Sequence, residues 1–174
     1  RSGTLTIGGQ TLTVTQAAAG CTYSINPTSQ SIVAAGGTGS STVTTLAGCA
    51  WTGVSNNTSW LTVTSGSSGN GTGTVAFSAA ANPNGTQRSG SLTIAGQTFS
   101  VTQAAAPCTY ALNPASQSVA AAGGTGSTTV TAPTGCAWTG VSNNTAWLTV
   151  TSGASGNGGG TVAFSAAANA STTQ

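Results

Sequence analysis

The sequence contains no aspartate, glutamate, histidine, lysine or methionine, and its only charged side chains are Arg1 and Arg88. These absences exclude most catalytic chemistry. General acid–base work needs a group that titrates near neutral pH, and nucleophilic catalysis by serine or threonine needs a base and an orienting partner. Hard-cation sites need carboxylates. The chain is therefore read as a non-enzyme with no cofactor and no metal site. Two arginines cannot form the basic track of a nucleic-acid binder, because affinity there grows with the number of phosphates neutralised. Apolar runs of about 18 residues are missing too, so no membrane insertion is expected. Little charge also means little long-range repulsion, which favours association. Disorder does not follow, since Val, Ile, Leu, Trp and Phe recur in alternation with Thr and Ser.

What is present is a repeat. Cys21, Trp51 and Trp60 recur as Cys108, Trp138 and Trp147, and 108 − 21, 138 − 51 and 147 − 60 all equal 87, so the 174 residues are 2 × 87. The repeat is out of phase with the chain ends: Arg1-Ser2-Gly3 matches Arg88-Ser89-Gly90, and Gln174 is the equivalent of Gln87. Units completed by a neighbour would have this phase. The expected divisions are residues 1–16 (a hairpin), 17–20 (linker), 21–103 (a complete unit), 104–107 (linker) and 108–174 (a unit lacking its last hairpin). Each unit is small enough to profit from a staple. Cys21 with Cys49 and Cys108 with Cys136, each pair 28 apart and without CxxC or histidine, read as disulfides rather than zinc ligands or free thiols. That places the chain outside the cell or at its surface. It opens on Arg1 and shows no signal peptide, as a processed chain or a segment of a longer one would.

Period-two alternation between Gly, Asn and Ser clusters predicts an all-β fold of two tandem immunoglobulin-like β-sandwich repeats. In the first complete unit, strands are expected near Thr22–Asn26, Ser29–Ala34, Ser40–Thr45, Ala50–Ser55, Trp60–Thr64, Gly73–Ala79, Ser89–Ile94 and Thr98–Gln103. The glycine-rich stretch 66–73 lacks the lysine and helix of a phosphate-binding loop and is read as a β connection. The last two strands form a hairpin whose copy is residues 1–16, with Leu5, Ile7, Leu12 and Val14 on one face and threonines on the other. Two-stranded hairpins are marginal alone. Burying four such side chains contributes about 6 to 12 kcal/mol gross, comparable to the net stability of a domain, about 5 to 15 kcal/mol. Residues 17–20 reach at most about 14 Å, too short for easy self-closure over the first unit. The expectation is that the hairpin enters the next molecule, with Arg1 at the junction, giving a head-to-tail filament. A segment of a longer tandem array is the competing reading, and simple truncation a third.

The strings C-T-Y at Cys21, G-C-A-W at Gly48, W-L-T-V at Trp60, V-A-F-S-A-A-A-N ending at Asn82, R-S-G-S-L-T-I-A-G-Q at Arg88 and V-T-Q at Val101 together resemble the BACON and BACON-like domains. The resemblance covers essentially the whole chain. It implies immunoglobulin-like modules of bacterial surface and secreted proteins, often in tandem, in a family named for carbohydrate binding that also includes spacers.

Trp51, Trp60, Trp138 and Trp147 are the residues a sugar-stacking site would use. Trp51 follows Cys49 by two residues and Trp60 leads an alternating strand, which points instead to core packing against a disulfide. Tyr23 and Tyr110 carry the same two readings. Arg88 has no carboxylate to pair with and is expected to donate to carbonyls or to stack on an aromatic ring. Sequons at Asn56, Asn70 and Asn143 make a glycan coat an option. A carbohydrate-binding module and an adhesin stalk are the alternatives to the filament, with glycans as a second class of partner.

Overall fold

A computed structural model describes residues 1–171, and all regular structure in it is β. The expected junction at Gln174 lies outside the described residues. The chain opens with a hairpin of β1 (Ser2–Ile7) and β2 (Gln10–Thr15), turned by Gly8 and Gly9, both at positive φ where a side chain would be strained. Nine strands follow: β3 (Ser24–Asn26), β4 (Ser29–Ile32), β5 (Gly37–Thr44), β6 (Ala50–Ser55), β7 (Leu61–Ser65), β8 (Ser68–Asn70), β9 (Gly73–Ala79), β10 (Arg88–Ile94) and β11 (Gln97–Gln103). They form two sheets, ordered β3–β5–β9–β7 and β4–β11–β10–β6–β8.

Alternation decides which side chains meet between the sheets. Val75, Phe77 and Ala79 of β9 are buried against Leu92 and Ile94 of β10 and Phe99 and Val101 of β11, in one core with Ile25, Ile32, Val43, Trp51 and Leu61. The Phe77 and Phe99 rings meet across the sandwich with centroids 5.4 Å apart, tilted by 59°. β4 is a short edge strand held by parallel pairing to β11. The Cys21–Cys49 disulfide ties the segment before β3 to the start of β6, and Cys108–Cys136 repeats that tie.

One expectation fails in an instructive way. The stretch 66–73 is not merely a connection: Ser68–Asn70 pairs with Ala50–Thr52 as β8. A Cβ on Gly69 or Gly73 would run into the Trp51 indole. Glycine is needed here for the ring that lies across the strand as well as for the turns at Gly66 and Gly71.

The second unit carries β12 (Ala111–Asn113), β13 (Gly124–Thr131), β14 (Ala137–Thr139), β15 (Leu148–Ser152), β16 (Ser155–Asn157) and β17 (Gly160–Ala166). β12–β13–β17–β15 reproduces the first unit's four-stranded sheet, but the opposite sheet is reduced to β14–β16. The chain passes from one unit to the other through residues 104–107, and the loop after β9 packs on the second unit. There the Gly85 N–H donates to the Thr134 carbonyl at 2.7 Å, the Ala106 N–H donates to the Asn84 carbonyl at 2.8 Å, and Gly85 lies against the Cys108–Cys136 sulfurs, leaving no room for a Cβ.

Candidate functional site

The hairpin β1–β2 and the second unit each repeat part of an arrangement that is complete in the first unit. There, β10 and β11 pair Leu92 with Phe99 and place Leu92, Ile94, Phe99 and Val101 in the core at 0% exposure. Their equivalents, 87 residues earlier, are Leu5, Ile7, Leu12 and Val14, with Leu5 opposite Leu12 in the same register. β1 and β2 pair with each other and with no other strand among the described residues, so these four side chains are 50% to 62% exposed. An exposed apolar stripe on a two-stranded ribbon is stable only in company.

Among the described residues, the second unit has no strands equivalent to β10 and β11. Residues 116–119, equivalent to β4, are not a strand, because β4 exists by pairing with β11. β14 stops at Thr139, whereas β6 continues through Gly53–Ser55, the residues that pair with β10. Side chains that the hairpin covers in the first unit are correspondingly open. Ile25 and Ile32 are 6% and 7% exposed, while Leu112 and Val119 in the same places are 51% and 38% exposed. Leu112, Val119, Val141, Trp147, Val150 and Phe164 line an apolar groove along this face.

The aromatic residues separate by environment. Trp51 is buried and its Nε1–H donates to the Gly71 carbonyl at 2.6 Å; Trp138 is half-buried and makes the same bond to Gly158 at 2.7 Å. Each ring lines an open surface pocket beside a tyrosine, Trp51 with Tyr23 and Trp138 with Tyr110. Trp60 is half-buried beneath Arg88, whose guanidinium carbon is 4.3 Å from the ring centroid. Trp147, its equivalent, is 51% exposed. The Tyr23 and Tyr110 hydroxyls donate to the Ala50 and Ala137 carbonyls. All three sequon asparagines, Asn56, Asn70 and Asn143, are exposed, and Asn56 also donates to the Ser91 and Thr93 hydroxyls of β10.

Reading the sequence alone missed the open groove of the second unit and the glutamine that partners each arginine. Arg88 Nε donates to Gln103 Oε1 at 2.8 Å, and Arg1 Nε donates to Gln16 Oε1 at 2.7 Å. Gln103 is fully buried because its Nε2 bridges the carbonyls of Val33, Ala34 and Ala80. Repetition of V-T-Q at the end of both hairpins was the available signal.

Residues 50–104 match the BACON family, described as "Putative binding domain, N-terminal", and residues 109–174 match the viral BACON domain. No curated protein matches the chain. Among solved structures, it is similar to a Bacteroides ovatus GH5 xyloglucanase in complex with a XXXG heptasaccharide, at 15% identity and a TM-score of 0.43 over 49% of this chain and 19% of that one. It is also similar to WR4, a C. elegans MSP family member, at 16% identity and a TM-score of 0.35 over 48% of this chain and 97% of that one. The chain thus spans about a fifth of the xyloglucanase. With its first repeat matched from Ala50 onward and its second matched from Thr109, on a fold of β-sandwich strands, the chain belongs to the BACON-like domains.

Proposed function

We propose that this chain is a non-catalytic, extracellular module whose second unit binds a β-hairpin, and that the hairpin it binds is β1–β2 of a second copy, so that copies join head to tail into a filament. One observation carries this reading. The inward-facing apolar side chains of the repeated hairpin, Leu92, Ile94, Phe99 and Val101, are buried in the first unit, while their equivalents Leu5, Ile7, Leu12 and Val14 lie open at the start of the chain and the second unit exposes an apolar groove at the matching place. The family description speaks of binding, and a hairpin added to an open sandwich is one form of it. Such a contact is heterologous, so it propagates rather than closing on itself. The two disulfides fit an oxidising compartment, and a nearly uncharged surface fits a protein that assembles.

Carbohydrate binding is the second reading, favoured by the family description and by the exposed rings of Trp147 and Tyr110. It treats the open groove as a finished site, with glycans as the partner. An adhesin stalk differs from the filament in taking the completing hairpin from residues that follow in a longer chain. Electron microscopy of the purified protein over a range of concentrations separates these. Threads with a repeat of two sandwiches support assembly. Particles that stay single at every concentration, with indole fluorescence quenched on titration with oligosaccharide, would overturn it in favour of sugar binding.

A further inference from the structure

A cavity of about 590 Å³ opens beside the groove, lined by Trp147, Gln117, Ala120, Ala121, Ala167 and Ala168 among others. Its counterpart in the first unit is filled. Adding 87 to Val33, Ala34, Trp60, Ala80 and Ala81 gives Ala120, Ala121, Trp147, Ala167 and Ala168, and the first five are the groups that hold Arg88 and Gln103. Arg88 Nη2 donates to the Ala80 carbonyl at 2.9 Å and the Ala81 carbonyl at 3.0 Å while the guanidinium lies over Trp60. Gln103 Nε2 donates to the carbonyls of Val33, Ala34 and Ala80. The ligand is a planar cation and the wall is neutral: an indole face and a ring of backbone carbonyls.

Building on the head-to-tail reading, we infer that this cavity is a guanidinium socket and that its occupant is the Arg1–Gln16 pair of a second copy. Arg1 is exposed and already carries the Nε–H···Oε1 bond to Gln16 that Arg88 makes to Gln103, so the pair reaches the socket preorganised. No side-chain carboxylate competes for it, since aspartate and glutamate are absent from the sequence. Arg1 is therefore a specificity-determining residue. The apolar stripe supplies area, whereas the guanidinium reads whether a hairpin has entered to its full depth, because its carbonyl partners lie where β17 ends. A lysine would keep the charge but not the fork that spans two carbonyls, nor the flat face that stacks on indole.

The experiment compares assembly thresholds of the full chain with those of Arg1→Lys, Arg1→Ala and Trp147→Leu, by sedimentation, with circular dichroism melting as the control for folding. Arg1 is exposed in the free chain, so its variants leave monomer stability unchanged. Loss of charge-assisted hydrogen bonds and stacking raises the threshold roughly 30-fold to 1000-fold for Arg1→Ala. Arg1→Lys falls between it and the parent. Ethylguanidinium at millimolar concentration raises the parent's threshold, and butylammonium at the same concentration does not. Arg1→Ala assembling as readily as the parent would overturn the socket while leaving hairpin exchange standing. A parent chain that never assembles would instead remove the head-to-tail reading, and the socket with it.

Discussion

Truncating the same leucine at its two repeat positions separates folding from assembly. Leu92 is fully buried beneath β9, so Leu92→Ala removes a core side chain and destabilises the first unit by about 2 to 5 kcal/mol. At roughly 4 to 8 °C per kcal/mol for a domain of this size, its melting temperature falls by about 10 °C or more. Leu5 holds the equivalent place in the free hairpin, where it is 54% exposed and touches little beyond its cross-strand partner Leu12. Leu5→Ala leaves the melting of the unassembled chain within about 3 °C of the parent. If Leu5 enters a second copy's groove as Leu92 enters its own, its truncation weakens each junction by about 2 to 4 kcal/mol. At 1.4 kcal/mol per decade, that raises the assembly threshold roughly 30-fold to 700-fold. The assays are thermal unfolding below the parent's threshold and sedimentation across it. A Leu5→Ala chain that melts as low as Leu92→Ala, or that assembles at the parent's threshold, refutes the reasoning.

Gly69→Ala places a methyl group in the Trp51 indole, so the ring must leave its bond to Gly71; loss of near-ultraviolet dichroism and a drop in stability are expected, and an unchanged spectrum would show that the ring is not confined there. Replacing Cys21 and Cys49 together by serine removes about 3 to 4 kcal/mol from the first unit in denaturant titrations, from the longer loop left free in the unfolded chain. Assembly should be flat between about pH 4 and 8 and nearly independent of salt, because aspartate, glutamate and histidine are absent; light scattering with a sharp pH midpoint would contradict this.

Strands β5, β6, β9, β10 and β11 were legible because alternation of period two is a local signal, and the repeat was legible because it is a comparison of the chain with itself. What stayed hidden depends on partners distant in sequence. β8 is three residues, Ser68 to Asn70, with a central glycine and no apolar alternation; it is a strand only because Ala50–Thr52 lies alongside. Residues 116–119 match β4 closely, yet they are not a strand, since the ladder that makes β4 comes from β11. Gln103 reads as a surface residue and is buried, because satisfying its amide takes four groups from three segments. On the site, the exposed apolar stripe of Leu5, Ile7, Leu12 and Val14 could be named from the alternation. The open groove of the second unit, with Leu112 and Val119, could not, because those positions are recognisable only from the buried Ile25 and Ile32 they replace.

The central claim is that β1–β2 docks in another copy's second unit, and an intermolecular disulfide trap tests it directly. In the first unit Thr102 of β11 pairs with Ser31 of β4 on the outer face, and the equivalents are Thr15 and Ser118. Two populations, one carrying Thr15→Cys and the other Ser118→Cys, are mixed and mildly oxidised. Hairpin exchange predicts a covalent heterodimer that forms on mixing and is absent from either population alone. Failure to cross-link on mixing, with efficient closure inside a single diluted chain carrying both substitutions, would show instead that the ribbon folds back on its own molecule.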